Sequence, residues 1–295
     1  MRLTDVKWSG KRGRSFRCVV ALSIPEMPLI STFSSQPGVE RGAFCSFEAC
    51  RNTQQGPVVI LASGASARHF PLAEFAHLPI IAMNGSVAMT AEHAIRPFFY
   101  LCTDKSFREQ QPALFATALR DSERLALWPE QYAGAEVPAS TACYALHKAD
   151  APGLLGGLRG HGDSYVCSRA LWSKRARSIA FSKDLAQGFY DARTVAYVAL
   201  QLAYHLGFDK VLLVGVDLDQ TAGRFYESGQ GQRSPCGLDQ HWDSRILPSL
   251  TLMAREVVNE HFQVYNLSAT SRIPAELIPK VDLEQARRIA GCAIA

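Results

Sequence analysis

The stretch Pro57 to Asn84, PVVILASGASARHFPLAEFAHLPIIAMN, constrains the fold more than any other part of this chain. A short apolar strand, Val58 to Ala62, runs into Ser63-Gly64-Ala65-Ser66, and a second apolar strand, Ile80 to Met83, ends on Asn84. Small residues at a strand's carboxyl end let a ligand approach the backbone, and the N-terminus of a following helix favours an anion there. The polar residue that ends the next strand then faces the crevice in which open α/β sheets bind ligands. The pattern points to a nucleotide site. The competing reading is a tight strand-to-helix turn with Ser66 as its cap.

A dinucleotide site carries G-x-G-x-x-G and an acid about 20 residues on, to hold the ribose hydroxyls. Here the turn has one glycine and the second strand closes on Asn84. An amide can donate to a phosphate oxygen or a base carbonyl and carries no charge to repel an anion. The pattern therefore argues against NAD.

Beyond this block, strands at Phe98–Leu101 and Arg124–Leu127 alternate with a helix over Ser106–Leu119, and the fourth strand closes this half. Alternation of this kind marks a mostly parallel sheet. The middle, around 128–190, has weaker patterning and crowds Gly153, Gly156, Gly157, Gly160 and Gly162. It reads as a lid-like insertion or as an ordinary surface excursion. A second strong block, Asp191 to Asp219, predicts a buried helix over Arg193–His205, stopped by Gly207. A strand over Lys210–Val214 follows, and Gly215-Val216-Asp217 delivers Asp217 to the crevice. A polar loop (Gln220–Gln240), a helix (Ser244–His261), a strand (Gln263–Asn266), the turn Ser268–Ser271 and a helix (Asp282–Ile289) complete the chain. The fold class is α/β: a Rossmann-like, mostly parallel sheet with helices on both faces and a lid-like insertion. Residues 57–295 form the nucleotide-binding domain, and 1–56 an irregular basic arm with room for one strand.

That arm holds Lys7, Lys11, Arg12, Arg14 and Arg17, and reads as a solvated tail or as a patch for an acidic membrane surface. The net charge of +4 suits an anionic ligand but is too small to argue for nucleic acid. Eight cysteines form no C-x-x-C and no zinc-ligand spacing, which fits a reducing cytoplasm. No apolar run approaches the ~20 residues of a membrane span. Pro25, Glu26 and Pro28 interrupt the stretch Cys18–Ile30, against a signal peptide.

Taken in order, these motifs carry a resemblance. Ser63-Gly64-Ala65-Ser66, Asn84, Thr103-Asp104, Arg193-Thr194, Gly215-Val216-Asp217 and a late His241 resemble the small bacterial sialyltransferases and the related lipopolysaccharide-core and flagellin-modification proteins. The archaeal hydroxymethylpterin pyrophosphokinase-like proteins share the same half. The tail Tyr265-Asn266-Leu267-Ser268 with Ile278-Pro279-Lys280-Val281 fits too, and the blocks FSKDLAQGFYDARTVAYVALQLAY and GRFYES look most like lipopolysaccharide core biosynthesis enzymes. The likeness spans roughly Pro57 to Ile289.

The resemblance implies a glycosyltransferase that uses a CMP-activated acidic sugar, Kdo or a sialic-like acid, with a lipid-linked saccharide as acceptor. It implies no required cofactor and a cytoplasmic enzyme, with peripheral contact to the inner membrane. Gly64 and Ser66 would place backbone amides against the donor phosphate, with Ser63 and Ala65 completing that turn, and Asn84 would bond phosphate or ribose. Thr194 would sit at the base and ribose, and His241 would be the general base. Thr103-Asp104 stand where the sialyltransferases have an Asn, and Ala196 replaces a glycine found two residues after their threonine, so nucleobase contacts differ. Imidazole suits proton transfer near neutrality, and the rival role for His241 is packing against Trp242. Tyr190, Tyr226, Arg193 and Arg224 are candidate donors to the leaving phosphate. Asp217-Leu218-Asp219 is literally a D-x-D, which elsewhere holds a divalent ion. A donor with one phosphate has less need of it, so magnesium is not favoured and Asp217 reads as orienting the sheet end. Two other readings stay open: a pyrophosphokinase using ATP and magnesium through clustered Asp104, Asp217 and Asp219, and a non-catalytic nucleotide-binding module.

Overall fold

Seven strands pair into one sheet in the order β5-β4-β3-β2-β1-β8-β9, every neighbour parallel. They are β1 (Pro57–Leu61), β2 (Ile80–Met83), β3 (Phe99–Cys102), β4 (Arg124–Leu127), β5 (Ala142–Ala145), β8 (Lys210–Val214) and β9 (Gln263–Asn266). A separate antiparallel pair, β6 (Tyr165–Cys167) and β7 (Ala180–Ser182), belongs to the insertion. The computed structural model describes residues 44–169, 173–227 and 237–292. The basic cluster Lys7 to Arg17 lies outside the described residues.

The sheet is parallel because its central strands are apolar on both faces, as strands covered by helices must be. Val58, Ile60, Ile81, Met83, Phe99, Leu101, Val211 and Leu213 face one layer, formed mainly by the helices Val195–Leu206 and Leu247–Glu256. Val59, Leu61, Ile80, Leu212 and Val214 face the other, closed by Ala286 and Ala290 of the last helix, Leu283–Ala290. Further along that second face, Ala82, Tyr100, Cys102, Leu125 and Leu127 pack on Phe115, Ala118 and Leu119 of the helix Pro112–Asp121. The chain grows outward from β1 to β5, then returns to place β8 on β1's other side. The order therefore switches between β1 and β8, and ligands of open α/β sheets bind outside the carboxyl ends at such a point.

Several expectations are corrected by the structure. The fourth strand does not close the first half: β5 extends the sheet inside the stretch predicted as an insertion. The helix Ser106–Leu119 is two helices, Phe107–Gln110 and Pro112–Asp121, because Pro112 starts a helix well but cannot continue one. The late helix begins as a π turn, Trp242–Ile246, and ends at Glu256 rather than His261. There Asn259 accepts from the amides of His261 and Phe262 and turns the chain into β9. The end of the stretch predicted as an irregular arm is core, with Phe47 and Cys50 buried and Phe47 against Tyr144.

The helix Val195–Leu206 is buried nearly all round, so its polar side chains must find partners inside. Gln201 Oε1 accepts from the amides of Ser182 and Tyr190, while its Nε2 donates to the carbonyls of Tyr190 and Tyr197. His205 accepts the Leu185 amide at Nδ1 (3.1 Å) and donates from Nε2 to the Phe47 carbonyl (2.8 Å), which makes it a neutral imidazole. Gly207 then closes the helix at φ +97°, where a Cβ would lie 2.6 Å from the Gln54 carbonyl oxygen. Only glycine fits there.

Burial lowers the His205 pKa below 6.5, and this outweighs the raising effects of the Phe47 carbonyl and Asp184. Its stabilising contribution is complete above about pH 6.5 and is lost as pH falls from there toward the depressed folded value. Thermal denaturation should therefore show native protein losing more stability between pH 7.5 and 5.5 than His205→Gln does. At pH 7.5 the variant should be less stable by roughly 1–3 kcal/mol, from buried groups left unpaired. Equal acid sensitivity of the two proteins would contradict this role.

Candidate functional site

At the switch point the ends of β1, β8 and β9 are tied together by one carboxylate. Asp217, 4% exposed, accepts the Ser66 amide at Oδ2 (3.0 Å) and the Ser66 and Ser268 hydroxyls at Oδ1, the latter at 2.6 Å. Gly64 donates its amide to the Gly215 carbonyl (2.9 Å), and a Cβ on it would lie 2.5 Å from Asp217 Oδ2. Ala65 opens only a five-residue 3-10 helix, Ala65–His69, and Ser66 does not cap it. The amides of Gly64 and Ser66 donate to the Gly215 carbonyl and the Asp217 carboxylate.

The segment Arg224–Glu227 lies over this turn. The Phe225 amide donates to the Ser63 carbonyl, and Arg224 donates to Tyr226 Oη (3.3 Å) and Glu227 Oε1 (3.2 Å). The Tyr226 ring covers Gly85, where a Cβ would come within 2.0 Å of it. Asn84 itself, at φ +48°, leaves β2 in the left-handed region and keeps a buried Oδ1 with no partner among the described residues. The Tyr100 hydroxyl on β3 is buried and unpartnered in the same sense. Its pKa is pushed up by burial first, then by Cys102, Tyr226 and Asp104. The Asn84 oxygen just past β2 and the Tyr100 hydroxyl on β3 are two of the four buried side-chain polar atoms without a partner among the described residues, and each marks unsatisfied bonding capacity.

Thr103 and Asp104 play local parts. The Thr103 carbonyl accepts from Trp128 Nε1 (2.9 Å), and Asp104 Oδ1 accepts the amide and hydroxyl of Ser106. Asp219 does the same for Thr221. Asp104, Asp217 and Asp219 are each engaged by their own neighbours. Among the described residues no group of three His, Cys, Asp or Glu side chains is placed to hold a metal.

A second feature is a cavity of about 340 Å³ lined by Lys148, Arg175, Tyr190, Asp191, Arg193, His241, Ser244 and Arg245, among others. The helix Val195–Leu206 precedes β8, so its first turn lies at the sheet's carboxyl edge, and Arg193-Thr194 stand there. Arg193 is at φ +63°, held by its amide on Asp191 Oδ1 (2.7 Å), and Thr194 makes no side-chain capping bond. Lys148 pairs with Asp191 Oδ2 (2.7 Å). Burial pushes the Asp191 carboxyl up, but Lys148 and the Arg193 amide outweigh it and hold it below the usual range. Arg245 donates to the carbonyls of Asp191 and Ser178 and to the Ser178 hydroxyl. Burial lowers its pKa, and Arg193 and Arg175 push the same way. Four cationic side chains thus face one carboxylate.

His241 ends a short helix, Leu238–His241, and reaches this cavity, while Trp242 beside it is buried under the Arg272 guanidinium at 4.2 Å. Of the predicted site residues the cavity collects His241, Arg193 and Tyr190. Ser63, Gly64, Ala65, Ser66, Asn84, Thr103, Asp104, Thr194, Gly215, Asp217 and Tyr226 are not among those lining it. Sequence reasoning missed Lys148, Arg175 and Arg245. The basic run SKRARS (Ser173–Ser178) inside the insertion was the available signal for one of them.

Comparison with known proteins bears on this arrangement. The family model for 3-deoxy-D-manno-octulosonic acid transferase WaaZ matches residues 47–284. A probable 3-deoxy-manno-octulosonic acid transferase of Salmonella typhimurium is 28% identical over 76% of this chain and 86% of its own length. A protein of the same description from Escherichia coli K12 is 26% identical over 77% and 83%. Among solved structures, a MAf glycosyltransferase from Magnetospirillum magneticum AMB-1 is similar over 80% of this chain, at 15% identity and a TM-score of 0.43. This chain spans 35% of that protein. With a family model matched from the first turn of the core to the start of the last helix, the chain belongs to the WaaZ family of 3-deoxy-D-manno-octulosonic acid (Kdo) transferases, glycosyltransferases of lipopolysaccharide core biosynthesis.

Proposed function

We propose that this chain transfers Kdo from CMP-Kdo to a lipid-linked core saccharide, with the donor's two anionic groups held at the cationic cavity and His241 as general base. The observation that carries this reading is the cavity itself. Its four cations against one carboxylate match a ligand that bears both a phosphate and a sugar carboxylate. Tyr190 and Ser244 add hydroxyls on the same wall. In the reaction the acceptor oxygen bonds to the anomeric carbon of Kdo while the bond from that carbon to the phosphate oxygen breaks. CMP leaves with the electron pair, and His241 takes the acceptor's proton. Arg175 and Arg193, which line the cavity beside Asp191, are suited to the charge growing on the departing phosphate. Asn84 and Tyr226 bind the nucleotide end at the neighbouring crevice, where the Asn84 oxygen lacks a partner.

The pyrophosphokinase reading needs Asp104, Asp217 and Asp219 in one cluster, whereas among the described residues no three His, Cys, Asp or Glu side chains are grouped to hold a metal, and Asp217 is taken up by Ser66 and Ser268. The non-catalytic reading needs His241 turned away, whereas it lines the cavity.

CMP at about 100 times its dissociation constant should stabilise the fold by ~2.7 kcal/mol. The melting temperature then rises by roughly 5–10 °C, without magnesium. A shift that appears only with ATP and magnesium would transfer the assignment to the pyrophosphokinase class. His241→Ala should keep the CMP shift and lower turnover by about 10²–10⁴-fold. Native turnover in that variant would mean that another group takes the proton. Asn84→Ala should leave the fold intact and weaken CMP binding by roughly 10- to 150-fold, measured by calorimetry. Unchanged affinity would remove Asn84 from the site.

A further inference from the structure

The exposed large apolar side chains among the described residues are three: Leu154 (65% exposed), Leu155 (72%) and Leu158 (59%). All three sit on one helix of the insertion, Leu154–Arg159. Positions i, i+1 and i+4 share one helix face, so they form a single apolar ridge rather than scattered contacts. The rest of that helix is anchored. Gly157 is buried, and Tyr165 Oη would lie 2.3 Å from a Cβ on Gly156, so the opposite side is packed on the hairpin. The leucines point outward because the inward positions are glycines that let the hairpin come close.

The ridge is rimmed by positive charge. Arg159 ends the same helix and is exposed. The Arg169 side chain lies against Gly160, where a Cβ would meet its Cγ at 2.8 Å. Arg177 donates from Nε to the Pro152 carbonyl (3.3 Å), which brings the helix Lys174–Arg177, with exposed Lys174 and Arg175, beside the leucine helix. Between His147 and Lys183 the sequence holds seven Lys or Arg against two carboxylates, Asp150 and Asp163. That is a local excess of five in a chain of net charge +4.

We infer that this ridge is a membrane-docking element that inserts Leu154, Leu155 and Leu158 among the acyl chains of an anionic lipid surface while the surrounding arginines and lysines meet its head groups. Apolar area on one side and basic residues around it are the two ingredients of interfacial binding. The position agrees. Ala151, three residues before Leu154, lines the cationic cavity, so docking here holds the cavity mouth at the bilayer. The inference rests on the proposed lipid-linked acceptor only for its purpose; the binding itself is measured apart from any transfer.

The test is sedimentation with vesicles of phosphatidylethanolamine and phosphatidylglycerol, and with vesicles of phosphatidylcholine alone. Native protein should bind the anionic vesicles, more weakly at high salt, and bind the neutral ones poorly. The triple variant Leu154→Ser, Leu155→Ser, Leu158→Ser should keep the native melting temperature and lose roughly a hundredfold or more in vesicle affinity. Arg159→Gln should lose about fivefold. Leu155→Gln alone, expected to lose roughly tenfold, serves if the triple variant misfolds. Native binding that the leucine changes leave untouched, or no native binding, overturns the proposal. So does a native dimer that the triple variant makes monomeric, which would make the ridge a contact between copies. Transfer to a deacylated, water-soluble acceptor should be equal in native and triple variant, with only transfer to the lipid-borne acceptor lost. If native protein transfers Kdo to neither acceptor, the functional reading fails and the vesicle result still decides the docking.

Discussion

A helix buried on every side is the constraint on which the rest of this protein depends. Val195–Leu206 lies under β1, β2 and β3, and its Gln201 and His205 side chains are buried away from water. Each must be matched inside, because a buried polar group without a partner costs far more than a satisfied one returns. Gln201 meets that demand with one bond inside its own helix, to the Tyr197 carbonyl, and the rest to the insertion: the Ser182 amide on β7 and both backbone groups of Tyr190. His205 meets it by reaching Leu185 and Phe47. The same bonds that make the helix tolerable in the core also set where Tyr190 and Asp191 stand, and with them one wall of the cationic cavity.

The second constraint is the fate of the anion position after β1. In many nucleotide folds a phosphate rests on amides at that turn. Here a buried Asp217 collects the Ser66 amide and two hydroxyls. These bonds tie the turn after β1 to the ends of β8 and β9. Positive charge is gathered at the insertion and the start of the buried helix, where Lys148, Arg175, Arg193 and Arg245 converge.

Much of the fold was legible in the sequence. β2, β4, β8 and β9 lie where hydrophobic runs bounded by turn residues place them, and Gly207 ends its helix as predicted. The resemblance to lipopolysaccharide core enzymes, read from ordered motifs, agrees with the family the chain belongs to. β5 escaped because Ala142-Cys143-Tyr144-Ala145 is a half-exposed edge strand with one fully buried side chain, too faint a pattern for four residues. The break at Gln111 escaped because Pro112 was absorbed into a continuous apolar period.

The sequence by itself determined the parallel sheet, its strand-by-strand apolar faces, and the polar residues that its strands deliver to one edge. These follow from short-range periodicity and turn chemistry, which act within a few residues. Only the tertiary structure decided what those residues face. Ser66 and Asp217, 151 positions apart, bond to each other. Arg175, Arg193 and Arg245 come together from three separate segments because Gln201 and Arg245 must satisfy buried donors and acceptors across them. Like charges gather there against their own repulsion, and packing of the apolar layers behind them holds them in place. No local pattern in the chain encodes that convergence.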